Sequence, residues 1–245
     1  MEADSQDARQ AKGGVYPHRI AWLLLSIHAM LLGWQCYHDS PTWDEVGHFA
    51  AAADHWHHGR FRLFNVNPPL IRMIGLLPVV VFRQLPDMIT YPGSYEAGQR
   101  PEFVVGAWLA NDLGRDYFTL MVIARIACIP FSILGGWVCY RWSSEVWGHK
   151  SGLMSLALWT FSPSVLAYGH LLLPDLGAAS VGVFAVYLLR KWLDQPRIAR
   201  ALVAGLVLGL AELSKTTWIV LFPVWPVLWI VDRARSRRRS GTRRT

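Results

Sequence analysis

The feature that most constrains this chain is a series of six apolar segments, each close to the length of a membrane-spanning helix. A helix needs about 20 residues to cross the hydrocarbon core of a bilayer, which is roughly 30 Å thick. We expect spans at residues 20–37, 117–140, 151–171, 176–189, 201–213 and 217–231. The sequence therefore predicts an all-α fold, a polytopic membrane protein with about six transmembrane helices and a long first outer loop that carries interfacial helices.

The composition agrees with a membrane protein and argues against other classes. Charged residues make up 17% of the chain, against roughly 25% in an ordinary soluble domain. Its three cysteines, Cys36, Cys128 and Cys139, have no C-x-x-C spacing, so neither a zinc site nor a disulfide framework is indicated. The net charge of +7 comes from basic residues that flank apolar runs, and we therefore expect no nucleic-acid partner.

Lysines and arginines are concentrated in alternate loops, on one side of the predicted spans, as the positive-inside rule requires. One side carries Arg9, Lys12, Arg19, Arg141, Lys150, Arg190, Lys191, Arg197, Arg200 and the Arg-rich stretch 236–243. The other side carries two short turns and the outer loop 38–116. We expect a cytoplasmic tail at 1–19, a membrane module at 20–232 and an Arg-rich cytoplasmic tail at 233–245, with both termini in the cytoplasm.

The outer loop contains one more apolar stretch, at residues 70–82. It has about 13 residues and is interrupted by Arg72 and Pro78, which suits an interfacial or re-entrant helix better than a span. A crossing here would also move every later Arg-rich loop to the outer side. We therefore predict that this segment does not span the membrane.

The outer loop opens with the sequence Pro-Thr-Trp-Asp-Glu-Val-Gly-His at residues 41–48. Thr42 and Glu45 have the spacing of a capping box, which predicts a helix that starts here. Asp44 would then lie in the first turn, with His48 one turn further on the same face. The two acids either stabilise the N-terminus of the helix or include a general base, and both interpretations stay open.

The Asp-Glu-x-x-His pattern is similar to the His-Glu-x-x-His helix of zinc enzymes, but no third ligand follows at a useful spacing. His55, His57 and His58 either add nitrogen ligands or are ordinary surface residues. We therefore expect no metal, and a divalent cation is not indicated as a cofactor.

Three further charged residues lie at or near the outer side. Asp175, in the turn between the third and fourth spans, is either functional, since a charge so close to hydrocarbon is costly, or an N-cap of the next helix. Arg125 lies about two turns inside the second span and should face the protein interior or a polar cavity. Lys215 either pairs with Glu212 or binds a lipid phosphate.

The order of these motifs resembles the N-terminal half of the dolichyl-phosphate-mannose protein mannosyltransferase family, glycosyltransferase family 39-like proteins of the C superfamily. The resemblance extends from Ile20 to Trp229. It is carried by Trp43-Asp44-Glu45-x-x-His48, Asn67-Pro68-Pro69-Leu70, Ala124-Arg125, Tyr140-Arg141-Trp142, Ser162-Pro163, Pro174-Asp175, and Gly205-Leu206-x-Leu208-Gly209-Leu210-Ala211 followed by Lys215.

This resemblance implies an inverting transfer of a sugar from a polyprenyl-phosphate carrier to an acceptor at the outer face, in a bacterial plasma membrane. It implies that Asp44 is the catalytic base and that Glu45 helps to bind the acceptor. Arg125 and Lys215 would offset the charge of the departing phosphate. The remaining substrate-binding candidates are His48 and Asp175.

The sequence departs from the family in two ways. Asn67 stands where many relatives have His or Lys, so one phosphate contact is missing. Family members usually have about twice this length, so we expect either a truncated paralogue or a fragment. The alternative is a non-catalytic membrane module, either a degenerate paralogue or a subunit that needs another membrane polypeptide. A transporter is disfavoured, because the ionisable residues gather at one face and transport sites lie near the midplane.

Overall fold

The computed structural model describes residues 16–82 and 100–241, and every regular element in these ranges is helical. Residues 83–99 of the predicted outer loop, and Arg9 and Lys12 of the predicted N-terminal tail, lie outside the described residues, as do residues 242–245. The helices are α1 (Tyr16–His38), α2 (Trp43–His58), α3 (Leu70–Phe82), α4 (Pro101–Leu113), α5 (Arg115–Trp147), α6 (His149–Phe161), α7 (Pro163–Tyr168), α8 (Pro174–Asp194), α9 (Ile198–Ser214), a 3₁₀ helix (Thr216–Val220) and α10 (Leu221–Gly241).

Four stretches of helix are long and apolar enough to cross a membrane, namely Pro17–His38, Arg115–Trp147, Pro174–Asp194 and Thr216–Arg235. They coincide with four of the six predicted spans, which confirms the prediction of an all-α polytopic membrane protein. The predicted span 201–213 falls on α9, which has 17 residues. The total of six spans stays a prediction.

The predicted span 151–171 is not one continuous helix. It is divided into α6 and α7 at Ser162, whose backbone is extended (φ −64°, ψ 124°), and Pro163 begins α7. Proline has no N–H to donate, and it disfavours helical geometry in the residue before it. The apolar composition of this segment was therefore a poor guide to its continuity.

The long helix α5 organises the fold, because it packs against α1, α3, α6 and α8. Around the first half of α5, which includes Arg125, α2, α3 and α4 build the largest core. Residues 49–53 of α2 are completely enclosed there. The segment 70–82 is a helix, α3, with Pro78 inside it, and its interfacial or re-entrant placement stays a prediction. The enclosed residues 49–53 thus anchor α2 in the core, and they fix the position of its first turn.

Candidate functional site

The predicted capping box at the start of α2 is confirmed. The Glu45 amide donates to Thr42 Oγ1 at 3.4 Å, and the Thr42 amide donates to Glu45 Oε2 at 2.9 Å. This reciprocal pair satisfies two backbone donors that a helix N-terminus otherwise leaves free. Its second effect is to turn the Glu45 carboxylate back into the protein.

Glu45 and Arg125 form a buried bidentate ion pair. Arg125 Nε and Nη2 donate to the two Glu45 oxygens at 2.8 and 2.6 Å, and the two side chains are 0 and 1% exposed. Of the two environments predicted for Arg125, the structure shows the protein interior. Burial alone would raise the pKa of Glu45, but the hydrogen bonds and charge of Arg125 outweigh it and hold this pKa below its ordinary value.

This ion pair ties together four separate parts of the chain. Arg125 also donates to the carbonyls of Cys36, in the last turn of α1, and of Asp39 and Ser40, just after that helix. Glu45 accepts a further hydrogen bond from the Leu172 amide at 3.0 Å. The end of α1, the start of α2, the middle of α5 and the segment before α8 are therefore held in one arrangement.

Asp44, next to Glu45, has the opposite environment. Its side chain is exposed, and it makes no hydrogen bond or ion pair with any residue in the part of the chain that the structure describes. The neighbouring indole of Trp43 is exposed and stacks on Phe103, with the ring centroids 5.4 Å apart. Asp44 is thus a free carboxylate on a rigid support.

His48 lies one turn from Asp44 but is turned into the protein. Its ring is stacked on Phe64 with a centroid separation of 4.4 Å, and Arg72 Nη1 donates to its Nδ1 at 3.4 Å. Burial, reinforced by the charge of Arg72, lowers the pKa of His48 to about 3. His48 is therefore neutral at physiological pH, and it is bonded to Arg72 rather than to Asp44.

Asp175 and Lys215 form a second ion pair, with Lys215 Nζ 2.6 Å from Asp175 Oδ1 and both side chains partly exposed. Two alternatives for these residues were wrong. Lys215 pairs with Asp175 rather than with Glu212, because α8 and α9 pack side by side. Leu173, not Asp175, occupies the N-cap of α8, since the helix already begins at Pro174. The charge of Asp175 acts on His48, which places the pair near that ring.

Arg72 of α3 is a residue that the sequence analysis treated only as an interruption of an apolar segment. Its Nη2 donates to the carbonyls of Phe64 at 3.0 Å and Asn67 at 2.6 Å. A single arginine in an apolar helix must leave hydrocarbon for a polar environment, and this was the available indication. Within residues 16–82 and 100–241, no group of three or more His, Cys, Asp and Glu could hold a metal ion.

Comparison with known proteins adds one finding to this geometry. The family described as dolichyl-phosphate-mannose-protein mannosyltransferase matches residues 107–242. The matched range includes Arg125, Asp175 and Lys215, but it begins after α2 and so does not include Asp44. No curated protein and no solved structure matches the chain. Because the matched range covers more than half of the sequence, the chain belongs to the dolichyl-phosphate-mannose-protein mannosyltransferase family.

Proposed function

We propose that this protein transfers a sugar from a polyprenyl-phosphate carrier to an acceptor hydroxyl at the outer face of the membrane, with Asp44 as the general base. The observation that carries the proposal is the contrast between the two neighbouring acids. Glu45 is enclosed and fully bonded, whereas Asp44 is exposed and unbonded within the described residues. A general base needs a free carboxylate within reach of the acceptor proton.

In the proposed reaction the acceptor oxygen attacks C1 of the sugar while its proton moves to Asp44. The bond between C1 and the phosphate oxygen breaks, and its electron pair leaves with the polyprenyl phosphate. A single displacement of this kind inverts the configuration at C1. The leaving phosphate gains negative charge, so a fixed cation close to it lowers the barrier.

Glu45 acts in this proposal as a positioning residue, and its predicted direct part at the catalytic site, in binding the acceptor, stays a prediction. Its oxygens are occupied by Arg125, the Leu172 amide and Thr42. The charge of Arg125 is neutralised by the same contact, which leaves little of it for a phosphate. Together they fix the turn from which Asp44 projects.

Lys215 is the more accessible of the two cations that the sequence singled out. It is partly exposed and held by Asp175, whose charge also acts on His48. We propose that it faces the leaving phosphate. We also propose a bacterial plasma membrane with both termini in the cytoplasm, since the Lys and Arg residues favour that orientation.

The test is the variant Asp44→Asn, assayed for sugar transfer in membranes with a polyprenyl-phosphate donor. Loss of a positioned base costs on the order of a hundredfold to ten-thousandfold in rate. Donor binding should be unchanged. Asp116→Asn is the matched control, because Asp116 is also an exposed acid in the first turn of a helix, and its transfer rate should equal that of the wild type.

Wild-type turnover in Asp44→Asn would refute Asp44 as the base. A wild-type protein that binds the donor but transfers no sugar would favour the alternative, a non-catalytic module that needs a second membrane polypeptide.

A further inference from the structure

A groove between α5, α8 and α10 lies at the end of the fold opposite to the candidate site. Its volume is about 250 Å³, and its walls come from Trp142 of α5, residues 186–193 of α8 and residues 228–235 of α10. Arg190 lies about four turns after Asp175 on α8, which corresponds to roughly 22 Å along the helix. The groove is therefore separate from the proposed catalytic residues.

The groove changes from apolar to charged along its length. The chain turns back at α9, so α10 runs in the same direction as α8. The deeper part is lined by four aliphatic residues, Val186 and Leu189 of α8 with Leu228 and Val231 of α10. The part nearer the helix ends is lined by Leu193 and by three charged residues, Arg190, Asp232 and Arg235. This arrangement suits an amphiphile whose apolar chain lies in the deeper part and whose headgroup lies at the charged end.

The two arginines of the groove are poorly matched by acids of the protein. Arg235 is exposed and makes no hydrogen bond or ion pair with any residue that the structure describes. Arg190 has a long contact to Asp194, with 3.8 Å between Nε and Oδ2, and its Nη1 is enclosed without a hydrogen-bond partner in the described ranges. Asp232 also lines this end and repels an anion, so the charges around the groove decide the balance.

Basic residues predominate around the charged end. Arg141, Lys191, Arg197, Arg200 and Arg233 lie at the same ends of α5, α8, α9 and α10. Glu145, which accepts from Lys191 at 2.9 Å, is the acid among them. The local charge is therefore positive in spite of Asp232 and Asp194, and it favours an anionic headgroup.

The walls of the groove favour a lipid over a free anion. Of the four candidate spans, the one that contains α10 is the least covered by protein: 6% of its apolar window is buried, against 28–50% in the other three. A free phosphate makes no use of the aliphatic walls, whereas the acyl chain of a phospholipid covers them. Basic pockets between membrane helices bind the headgroups of anionic lipids in this way.

We propose that this groove binds an anionic phospholipid of the surrounding membrane, with the phosphate beside Arg190 and Arg235 and one acyl chain along the aliphatic walls. The bound lipid fills the space between α10 and the rest of the bundle. Asp232 weakens the binding, because its charge repels the headgroup.

The test measures binding by the full chain in detergent micelles, using native mass spectrometry. The probes are phosphatidylglycerol, phosphatidylcholine with the same acyl chains, and glycerol phosphate. The wild type should bind phosphatidylglycerol tightest and glycerol phosphate least. Arg235→Gln should weaken phosphatidylglycerol binding about fivefold, the usual effect of one basic residue on an anionic lipid. Asp232→Asn should tighten it by a similar factor, and a loss of folding cannot produce that gain.

Arg197→Gln is the matched control, because Arg197 is an exposed arginine at the same helix ends but outside the groove, and its binding should be that of the wild type. Val231→Trp fills the apolar part and should weaken binding of both lipids. Equal losses in Arg197→Gln and Arg235→Gln would overturn the groove as the site, because they would indicate a general surface attraction. Unchanged or weaker binding in Asp232→Asn would also overturn the inference.

Two further outcomes would assign the groove differently. Equal affinity of the wild type for phosphatidylcholine or glycerol phosphate would overturn the anionic lipid as its ligand. A lipid-free dimer that Val231→Trp converts into monomers would identify a second copy of the chain as the occupant. The inference is independent of the proposed function, and Asp44→Asn should bind phosphatidylglycerol as the wild type does.

Discussion

At the scale of single residues, the two ion pairs of the site have the same chemistry but different surroundings. Glu45 and Arg125 are removed from water, whereas Asp175 and Lys215 are partly exposed. Deleting one member of a buried pair leaves the other charge unpaired in a medium that cannot solvate it. When one member of an exposed pair is deleted, water solvates the charge that remains, so little stability is lost. The energetic importance of the two pairs should therefore differ.

We predict that Glu45→Gln lowers the free energy of unfolding by about 3–5 kcal/mol, the usual cost of breaking a buried ion pair. The measurement is thermal or denaturant unfolding of the purified protein in detergent. Asp175→Asn is the matched control and should cost about 1 kcal/mol or less. Equal losses in the two variants would contradict the burial argument.

His48 gives a prediction about pH. Its pKa is about 3 in the folded protein and 6.5 when unperturbed, so the unfolded chain binds a proton that the folded chain refuses. Protonation of the unfolded chain therefore lowers the free energy of unfolding. This loss is absent above pH 6.5 and grows as the pH falls towards 3. Between pH 7 and pH 5, His48→Gln should therefore lose about 2 kcal/mol less stability than the wild type.

The exposed His38 provides the control for this experiment, because its replacement removes a histidine outside the enclosed surroundings of His48. His38→Gln should follow the pH dependence of the wild type. The pKa of Glu45 is lowered from its ordinary value of 4.5, so protonation of Glu45 affects stability only at a more acidic pH than this. A wild-type slope in His48→Gln would show that this ring is not the group that resists protonation.

How far the sequence predicted these residues depended on the distance between partners. The capping box of Thr42 and Glu45 was predictable, because both members lie within one helical turn. The burial of Arg125 was predictable as well, because a charged side chain is costly in the hydrocarbon core of a membrane. Its partner was not, since Glu45 lies 80 positions away and only the packing of α2 against α5 brings them together.

At the scale of helices, α2 and α4 approach closely at a glycine. A Cβ atom on Gly106 would lie 2.5 Å from the carbonyl oxygen of Val46. The obstacle is backbone, which cannot rotate away like a side chain. The position of the first turns of α2, and hence of Asp44, therefore depends on the absence of a side chain at residue 106.

We predict that Gly106→Ala destabilises the protein and reduces sugar transfer, because α4 must move away from α2. Gly33→Ala is the matched control, since a Cβ atom on this helical glycine meets nothing within 4 Å. In a helix interior, alanine is favoured over glycine by up to about 1 kcal/mol. Gly33→Ala should thus be neutral or stabilising in the same unfolding assay, and a neutral Gly106→Ala would refute the close approach.

Helix boundaries were predictable where local chemistry sets them and unpredictable where hydropathy alone was used. The segment 70–82 was delimited correctly, because prolines precede it and its apolar run is short. The segment 151–171 was judged by apolar content, and its Ser162–Pro163 break was overlooked.

The pairing of Lys215 with Asp175 was also missed, because a sequence shows only partners that are close along one helix, while α9 lies against α8.

At the scale of the whole molecule, the charged residues form two separate groups. The candidate site gathers where the start of α2, the start of α8 and the end of α9 meet. The other group lies where α5 and α8 end, with Glu145 accepting from Lys191 at 2.9 Å and from the Tyr187 hydroxyl at 2.8 Å. Since α5 and α8 are both long and apolar enough to span a bilayer, we predict that the two groups lie at opposite membrane surfaces.

This separation predicts the accessibility of two introduced cysteines. Asp112→Cys, close to the start of α5, should react with a membrane-impermeant maleimide in intact cells. Arg197→Cys, in the turn between α8 and α9, should react only after the membrane is opened, since we propose that the Arg-rich side faces the cytoplasm. Background from the native thiols should be low, because Cys36 and Cys128 are buried and Cys139 is partly covered. Labelling of Arg197→Cys in intact cells would reverse the orientation, and it would move Asp44 to the cytoplasmic side.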